Sequence, residues 1–232
     1  MKAPEDAAPR AVIFDMDGLM IDSEVIYQMA WRRAIREFER EMPDAVFRRF
    51  LGRTSSDSHT LLADIFGPDF DVGGFLSRCS AIADDHIVTH GIPHKPGLGE
   101  LLDSLESNGT PKAVATSTRR EWALRSLGSL AARFEVLTTG DEVTRGKPAP
   151  DIFLLCAERL NAAPHECLVL EDSEAGIHAA HAAGMRAIMV PDLVEPTDEI
   201  RGLAWRVCAS LDDVRTMEWG NSKLEIRSSK KV

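Results

Sequence analysis

The sequence predicts an α/β fold: a doubly wound parallel sheet with an all-helical domain inserted after its first strand. Three observations carry this. Short apolar runs recur along the chain, helical patterns separate most of them, and one long stretch holds helical patterns alone. Nearly continuous apolar runs of this length suit strands buried on both faces of a parallel sheet. Their alternation with helices implies right-handed βαβ crossovers.

The first run, Ala-Val-Ile-Phe-Asp-Met over 11–16, ends at Asp17-Gly18, a turn signal. Residues 22–95 then break the alternation. Val25, Ile26, Met29, Ala30, Ile35 and Phe38 form one helical stripe, with Arg32, Arg33, Arg36 and Glu39 mostly facing away. Further helical patterns cover 44–51, 56–66 and 71–89, with no strand candidate among them. The simplest reading is a helical cap domain over 22–93, entered near Ile21 and left near Pro93–Pro96. Residues 1–21 and 94–232 then make a Rossmann-like core. In that core, strands are expected at 112–117, 135–139, 167–171 and 186–190, and helices at 97–108, 119–131, 149–161 and 173–183.

Local signals fix the helix ends. Asp22 and Glu24 read as the cap and first-turn charge of the first inserted helix, and Ser23 as a second cap or a cleft residue. Thr118 reads as the N-cap of the helix after the second core strand, with Arg119 and Arg120 solvated. Pro148 and Pro150 sit near the first turn of 149–161, where Asp151 favours the positive end of the helix dipole. Gly184 suits the position just past 173–183.

Composition narrows the function classes. Of 232 residues, 37 are acidic and 27 basic, a formal charge of −10. That balance disfavours a protein that grips nucleic acid, because phosphate backbones demand a basic face. No run approaches the roughly 18 apolar residues of a membrane helix, and Met1–Arg10 is polar with two prolines, so no leader or anchor is expected. Cys79, Cys156, Cys167 and Cys208 lie far apart without C-x-x-C spacing, and are read as reduced thiols. A cytoplasmic monomer is the expectation. The tail 221–232 is polar and mildly basic.

In an open parallel sheet, ligands bind beyond the carboxyl ends of the strands. There this chain places Asp15-Met16-Asp17-Gly18, Thr116-Ser117-Thr118, Gly146-Lys147-Pro148 and Glu171-Asp172-Ser173. Clustered carboxylates repel one another and call for a cation. Without nearby His or Cys, oxygen ligands suit Mg²⁺. Hydroxyls and a lysine opposite can hold the oxygens of a phosphoryl group, whose transfer is mostly positioning and electrostatic stabilisation. A metal-neutralised aspartate can attack phosphorus, and a second aspartate two residues on can serve as acid and base.

Four segments then show a resemblance. Phe14-Asp15-Met16-Asp17-Gly18-Leu19-Met20-Ile21-Asp22-Ser23-Glu24 resembles the first motif of the haloacid dehalogenase-like hydrolases. Ala115-Thr116-Ser117-Thr118 resembles the second, Gly146-Lys147-Pro148-Ala149-Pro150-Asp151-Ile152-Phe153 the third, and Leu170-Glu171-Asp172-Ser173-Glu174-Ala175-Gly176 the fourth. The resemblance spans about residues 10–210. It is closest to the β-phosphoglucomutase-like branch, and within it to the pseudouridine-5′-phosphatase type. It implies a Mg²⁺-dependent phosphatase acting on a small phosphorylated metabolite through an aspartyl phosphate. Asp15 is implied as nucleophile and metal ligand. Asp17 is implied as acid/base and as a ligand through its backbone carbonyl. Thr116 and the Ser117 amide are implied to hold phosphate, Lys147 to neutralise charge, and Asp172 to complete the metal site. Glu171 is implied as a further ligand or an outer partner. The cap is expected to hinge over the core and to choose the leaving group, with Arg53, Thr54, Ser56, His59 and Tyr27 as candidates.

Several other motifs fall away. His86, His90 and His94 are spaced by four, but Gly91 and Pro93 interrupt the helix and no further ligand joins them. His165-Glu166 lacks the second histidine of a metalloprotease motif, and Gly140–Lys147 lacks P-loop spacing. Among rival functions, a phosphomutase shares the core; Leu51 and Ser55 stand where its cap loop carries basic residues, but Arg53 is a substitute for them, so this alternative is disfavoured and stays open. A receiver module keeps its acidic pair before the nucleophile and has no helical insert. A catalytically dead binding protein has no need of every catalytic residue type.

Overall fold

The computed structural model describes residues 8–50 and 55–217. These divide into two compact units: one continuous, Asp22–Pro93, and one formed by the described residues on either side of it.

The second unit is a six-stranded sheet in the order β3-β2-β1-β4-β5-β6, all strands parallel. The strands are β1 (Ala11–Phe14), β2 (Lys112–Thr116), β3 (Val136–Thr139), β4 (Cys167–Glu171), β5 (Arg186–Met189) and β6 (Arg206–Val207). Every residue of β1, β2 and β4 is buried, which is why these read as unbroken apolar runs. The chain winds outward from β1 through β2 to β3, then returns to the other side of β1 as β4. β1 and β4 therefore flank the switch point where doubly wound sheets form their crevice.

Ten α-helices are described. α1 (Ser23–Glu37), α2 (Asp44–Phe47), α3 (Ser55–Phe66) and α4 (Val72–His90) lie in the continuous unit. α5 (Leu98–Ser107), α6 (Arg120–Leu127), α7 (Asp151–Arg159), α8 (Glu174–Ala182), α9 (Asp198–Leu203) and α10 (Leu211–Arg215) accompany the sheet. Ile152, Phe153, Cys156 and Ala157 of α7, with Ile177, Ala179 and Ala180 of α8, pack on β1, β2 and β4 in one buried cluster. At about 25 cal/mol per Å² of apolar surface, that contact supplies most of the drive for the layer.

In the helical unit, Trp31 is the centre. Its ring packs edge-on against Phe50 at 4.9 Å, Phe75 at 5.3 Å and Phe47 at 5.9 Å. Arg78 and Glu37 tie α4 to α1 through a two-pronged bond of 2.6 and 2.9 Å. Asp71 caps α4 by accepting from the Gly74 amide at 2.8 Å.

Several expectations need correction. β1 stops at Phe14, so Asp15 and Met16 lie past the strand. The helix expected over 119–131 is α6 followed by a 3₁₀ segment, Gly128–Arg133. α7 starts two residues late, because Pro150 occupies its N-cap. Thr118 is not the cap of α6: Arg119 holds that position in extended geometry without a cap bond from its own side chain, and the Arg120 amide donates to Asp141 Oδ1 at 3.2 Å. Nor is Arg120 free in solvent, since its guanidinium donates to the Leu137 carbonyl at 2.7 Å and to Glu142 at 2.8 Å. β6 is two residues long and was invisible as a run, as were α9 and α10.

Asp22 does hold the N-cap position of α1, without a side-chain cap bond, and Gly184 follows α8 with φ +72°. All four cysteines are free. Burial pushes the Cys79 and Cys156 thiols up to about 12 and those of Cys167 and Cys208 to about 11, which keeps them protonated and unreactive. Among the described residues, no helix is long and apolar enough to cross a membrane.

Candidate active site

Asp15 is the first residue past β1. Its amide donates to the Leu170 carbonyl at 3.0 Å, extending the β1–β4 ladder one step and holding the carboxylate at the switch point. On the far side of that ladder, Glu171 ends β4 and Asp172 follows. Carboxylate oxygens of Asp15, Glu171 and Asp172 lie within 4.8 Å of one another.

Lys147, from the loop before α7, reaches into this cluster. Its ammonium donates to Asp15 Oδ1, to Glu171 Oε1 at 2.5 Å and to the Ala115 carbonyl at 3.2 Å. It also sits 4.9 Å from the centroid of the Phe153 ring, whose negative face favours a cation. The lysine side chain is 6% exposed and the Glu171 side chain 0%. Glu171 is held on its other oxygen as well: the Ser173 amide and hydroxyl both donate to Oε2 at 2.9 Å. The Ser173 hydroxyl in turn accepts from the Gly176 amide at 3.1 Å, capping α8.

Two glycines make room for these carboxylates. Gly18 adopts φ +85°, and a Cβ there would stand 2.2 Å from Asp172 Oδ2. Gly176, on α8, would place a Cβ 1.8 Å from Glu171 Oε1.

The charges do not balance. Burial, with the neighbouring Glu171 and Asp17 carboxylates, pushes Asp15 up to about 8 against the pull of Lys147. Burial, with Asp15 and Glu171, pushes Asp172 up to about 9. Burial lowers Lys147, but its two carboxylate partners more than offset this and hold it as an ammonium. One ammonium cannot offset three ionised carboxylates at this burial, so without a further cation Asp15 and Asp172 are driven toward their protonated forms. A hard divalent cation on all-oxygen ligands is the group that such a donor set fits.

Thr116 is buried at the end of β2, and its Oγ1 accepts from the Thr118 amide at 3.0 Å. Ser117 is exposed just beyond it. Asp17 is partly exposed in the turn after β1, and its Oδ2 accepts from the Thr118 hydroxyl at 2.8 Å. In the helical unit, Tyr27 and His59 line one cleft of about 260 Å³ with Trp31, Leu76, Cys79 and Ser80. Ser56 lies on α3, while Arg53 and Thr54 fall outside the described residues.

Sequence reasoning included Phe153, Ser173, Gly18 and Gly176 in its strand-end segments and motifs but gave none of them a role in holding the carboxylates. The signal for the two glycines was present: each sits a few residues from an acidic strand end, where a side chain would collide with a carboxylate.

Known proteins resemble this chain in sequence and in fold. The family model of the haloacid dehalogenase-like hydrolases matches residues 12–190. The phosphorylated carbohydrates phosphatase of Thermotoga maritima is 34% identical over 180 residues, 77% of this chain and 83% of that protein. The probable pseudouridine-5′-phosphatase of Drosophila melanogaster is 31% identical over 216 residues, 90% of this chain and 92% of that one. A Thermotoga maritima crystal structure, provisionally assigned as a β-phosphoglucomutase, superposes with a TM-score of 0.78 at 30% identity, covering 88% of this chain and 96% of its own.

Proposed function

Because the chain belongs to the haloacid dehalogenase-like hydrolases, we propose that it hydrolyses phosphomonoesters of small metabolites through a phosphorylated Asp15. The observation that carries the reading is the Lys147 ammonium shared by Asp15 and Glu171 at the ends of adjacent parallel strands. A buried carboxylate with a fixed cation against one oxygen keeps its other oxygen for attack.

Thr116 and Ser117 supply the hydroxyl and amide that hold the phosphoryl oxygens, and Lys147 offsets the charge that builds on them. Asp15 forms a bond to phosphorus as the ester P–O bond breaks, and Asp17 gives its proton to the leaving oxygen. Water then attacks the phosphorus of phospho-Asp15. Asp17 takes the water's proton, and the bond to Asp15 breaks to release phosphate. Mg²⁺ held by Asp15, Asp172 and the Asp17 carbonyl, with Glu171 supporting from behind, would supply neutralising charge that lets nucleophile and phosphate approach. The helical unit acts as the cap that selects the leaving group, with Tyr27 and His59 as its specificity residues. Arg53, Thr54 and Ser56 remain candidates for that choice.

The substrate class follows the relatives: sugar phosphates and nucleoside or pseudouridine monophosphates. A phosphate-release screen over such metabolites, with glucose 1-phosphate plus a bisphosphate included to detect mutase turnover, tests this. Activity that survives EDTA, or full p-nitrophenyl phosphate hydrolysis by Asp15→Asn, contradicts the proposal.

A further inference from the structure

We propose that Thr118 is a positioning residue for acid catalysis, acting through Asp17 on expulsion of the leaving group. This rests on the reading of Asp17 as the acid and base.

Three observations carry it. First, the Thr118 hydroxyl stands one residue before the N-cap of α6, outside the capping position that Arg119 holds. It donates to Asp17 Oδ2 at 2.8 Å, across from the β2 end to the β1 end. Second, the Thr118 backbone is fixed on both sides. Its amide donates to Thr116 Oγ1 at 3.0 Å, and its carbonyl accepts from the Gly140 amide at 3.1 Å. Third, that second anchor is crowded: a Cβ at Gly140 would stand 2.1 Å from the Ser117 carbonyl oxygen, so the 116–118 turn and the end of β3 are in close backbone contact. The end of β3 is itself tied down, with Glu142 accepting from the Thr139 amide at 2.9 Å, from Arg120 at 2.8 Å and from Arg159 at 2.8 Å.

The hydroxyl is thus mounted on a stiff support, while Asp17 stands on a turn beyond β1. A bond to one carboxylate oxygen fixes the orientation of the other, from which a proton is delivered. The same turn carries Thr116 and Ser117, so the group that grips the phosphoryl oxygens and the group that aims the acid move as one piece.

The consequence separates substrates by leaving group. An alkyl phosphate needs its departing oxygen protonated; p-nitrophenolate leaves without help. Thr118→Val, which keeps the shape and removes the donor, is expected to lower kcat/KM for an alkyl phosphate by about tenfold or more, a part of the range typical of acid catalysis. The fall for p-nitrophenyl phosphate is expected to be under about threefold by the same reasoning. Thr118→Ser restores both. Thr118→Ala is run alongside, with circular dichroism melts on each variant, so that a folding defect shows as an equal loss on both esters and a lowered Tm. Equal losses on the two substrates, or no loss on either, overturn the proposal. A parent protein that hydrolyses neither ester instead overturns the phosphatase reading on which it stands.

Discussion

Replacing Gly176 by alanine should damage the molecule where the rules for helices say it should help. Alanine in place of a helical glycine ordinarily gains up to about 1 kcal/mol. At Gly99 on α5, where no atom lies within 4 Å of the added carbon, that gain is expected. At Gly176 the carbon would sit 1.8 Å from Glu171 Oε1 and 1.9 Å from Cδ. Glu171 cannot swing aside cheaply, because Lys147, the Ser173 amide and the Ser173 hydroxyl all hold it. Bonds to a charged group contribute roughly 1.5–3 kcal/mol each, and disrupting a buried ion pair costs about 3–5 kcal/mol. After the alanine gain is subtracted, Gly176→Ala should destabilise by roughly 3 kcal/mol. Gly99→Ala should stabilise by up to about 1 kcal/mol. Thermal melts followed by circular dichroism read the contrast. At about 2–4 °C per kcal/mol for a protein of this size, Gly176→Ala should melt on the order of 10 °C lower. Phosphate release should fall with it, since Lys147 loses a partner. A Gly176→Ala protein as stable and active as Gly99→Ala would refute the packing argument.

Two further outcomes follow from the electrostatics. Arg159, the Thr139 amide and Arg120 hold the Glu142 carboxyl down at about 2. Its folded value is below its unfolded one, so the stability it contributes is full above pH 4.5 and is lost as pH falls toward 2. Solvent screening limits this to about 1 kcal/mol. Glu142→Gln should therefore lower the Tm at pH 7 by a few degrees and leave it nearly unchanged near pH 2. The raised carboxyls of Asp15 and Asp172 work the other way. The folded state binds more protons than the unfolded one between the ordinary value of 3.8 and about 8 to 9, so stability falls as pH rises through that window. Added Mg²⁺ should raise the Tm more at pH 8 than at pH 5, as linkage requires of a cation that binds the ionised cluster. Asp172→Asn should flatten the difference, and differential scanning fluorimetry measures it.

The sheet was legible because β1, β2 and β4 are buried on both faces and so read as nearly continuous apolar runs, with polar residues only at the strand ends. The candidate site was legible because doubly wound sheets collect chemistry at strand ends, which turns four distant segments into one place. What escaped has physical causes. β6, at two residues, is too short to make a pattern. Thr118 was misplaced because α6 begins one residue later than the pattern implies, which puts Arg119 at the N-cap and leaves the threonine hydroxyl to a carboxylate 101 positions earlier. Phe153 serves Lys147 through a ring contact that the pattern along the chain does not encode, whereas Ser173 turns back on Glu171 two residues earlier, a local signal that stood in the sequence.

The strand order also sets a schedule for folding. β1 is the first strand synthesised, yet it lies in the middle of the sheet. Val12 pairs with Lys112 on one side and with Leu168 on the other. At synthesis rates of about 5–20 residues per second, β1 waits for many seconds without partners while its apolar residues stand exposed. The helical insert shortens that delay in another sense. Ile21 and His94 meet in an antiparallel bridge, so a folded insert presents its two ends side by side. The connection from β1 to β2 then closes as a short loop instead of a long one, with the smaller entropy cost that implies. The insert's own folding thereby becomes a step in building the sheet, and mutations in its aromatic core around Trp31 should slow the pairing of strands they never touch.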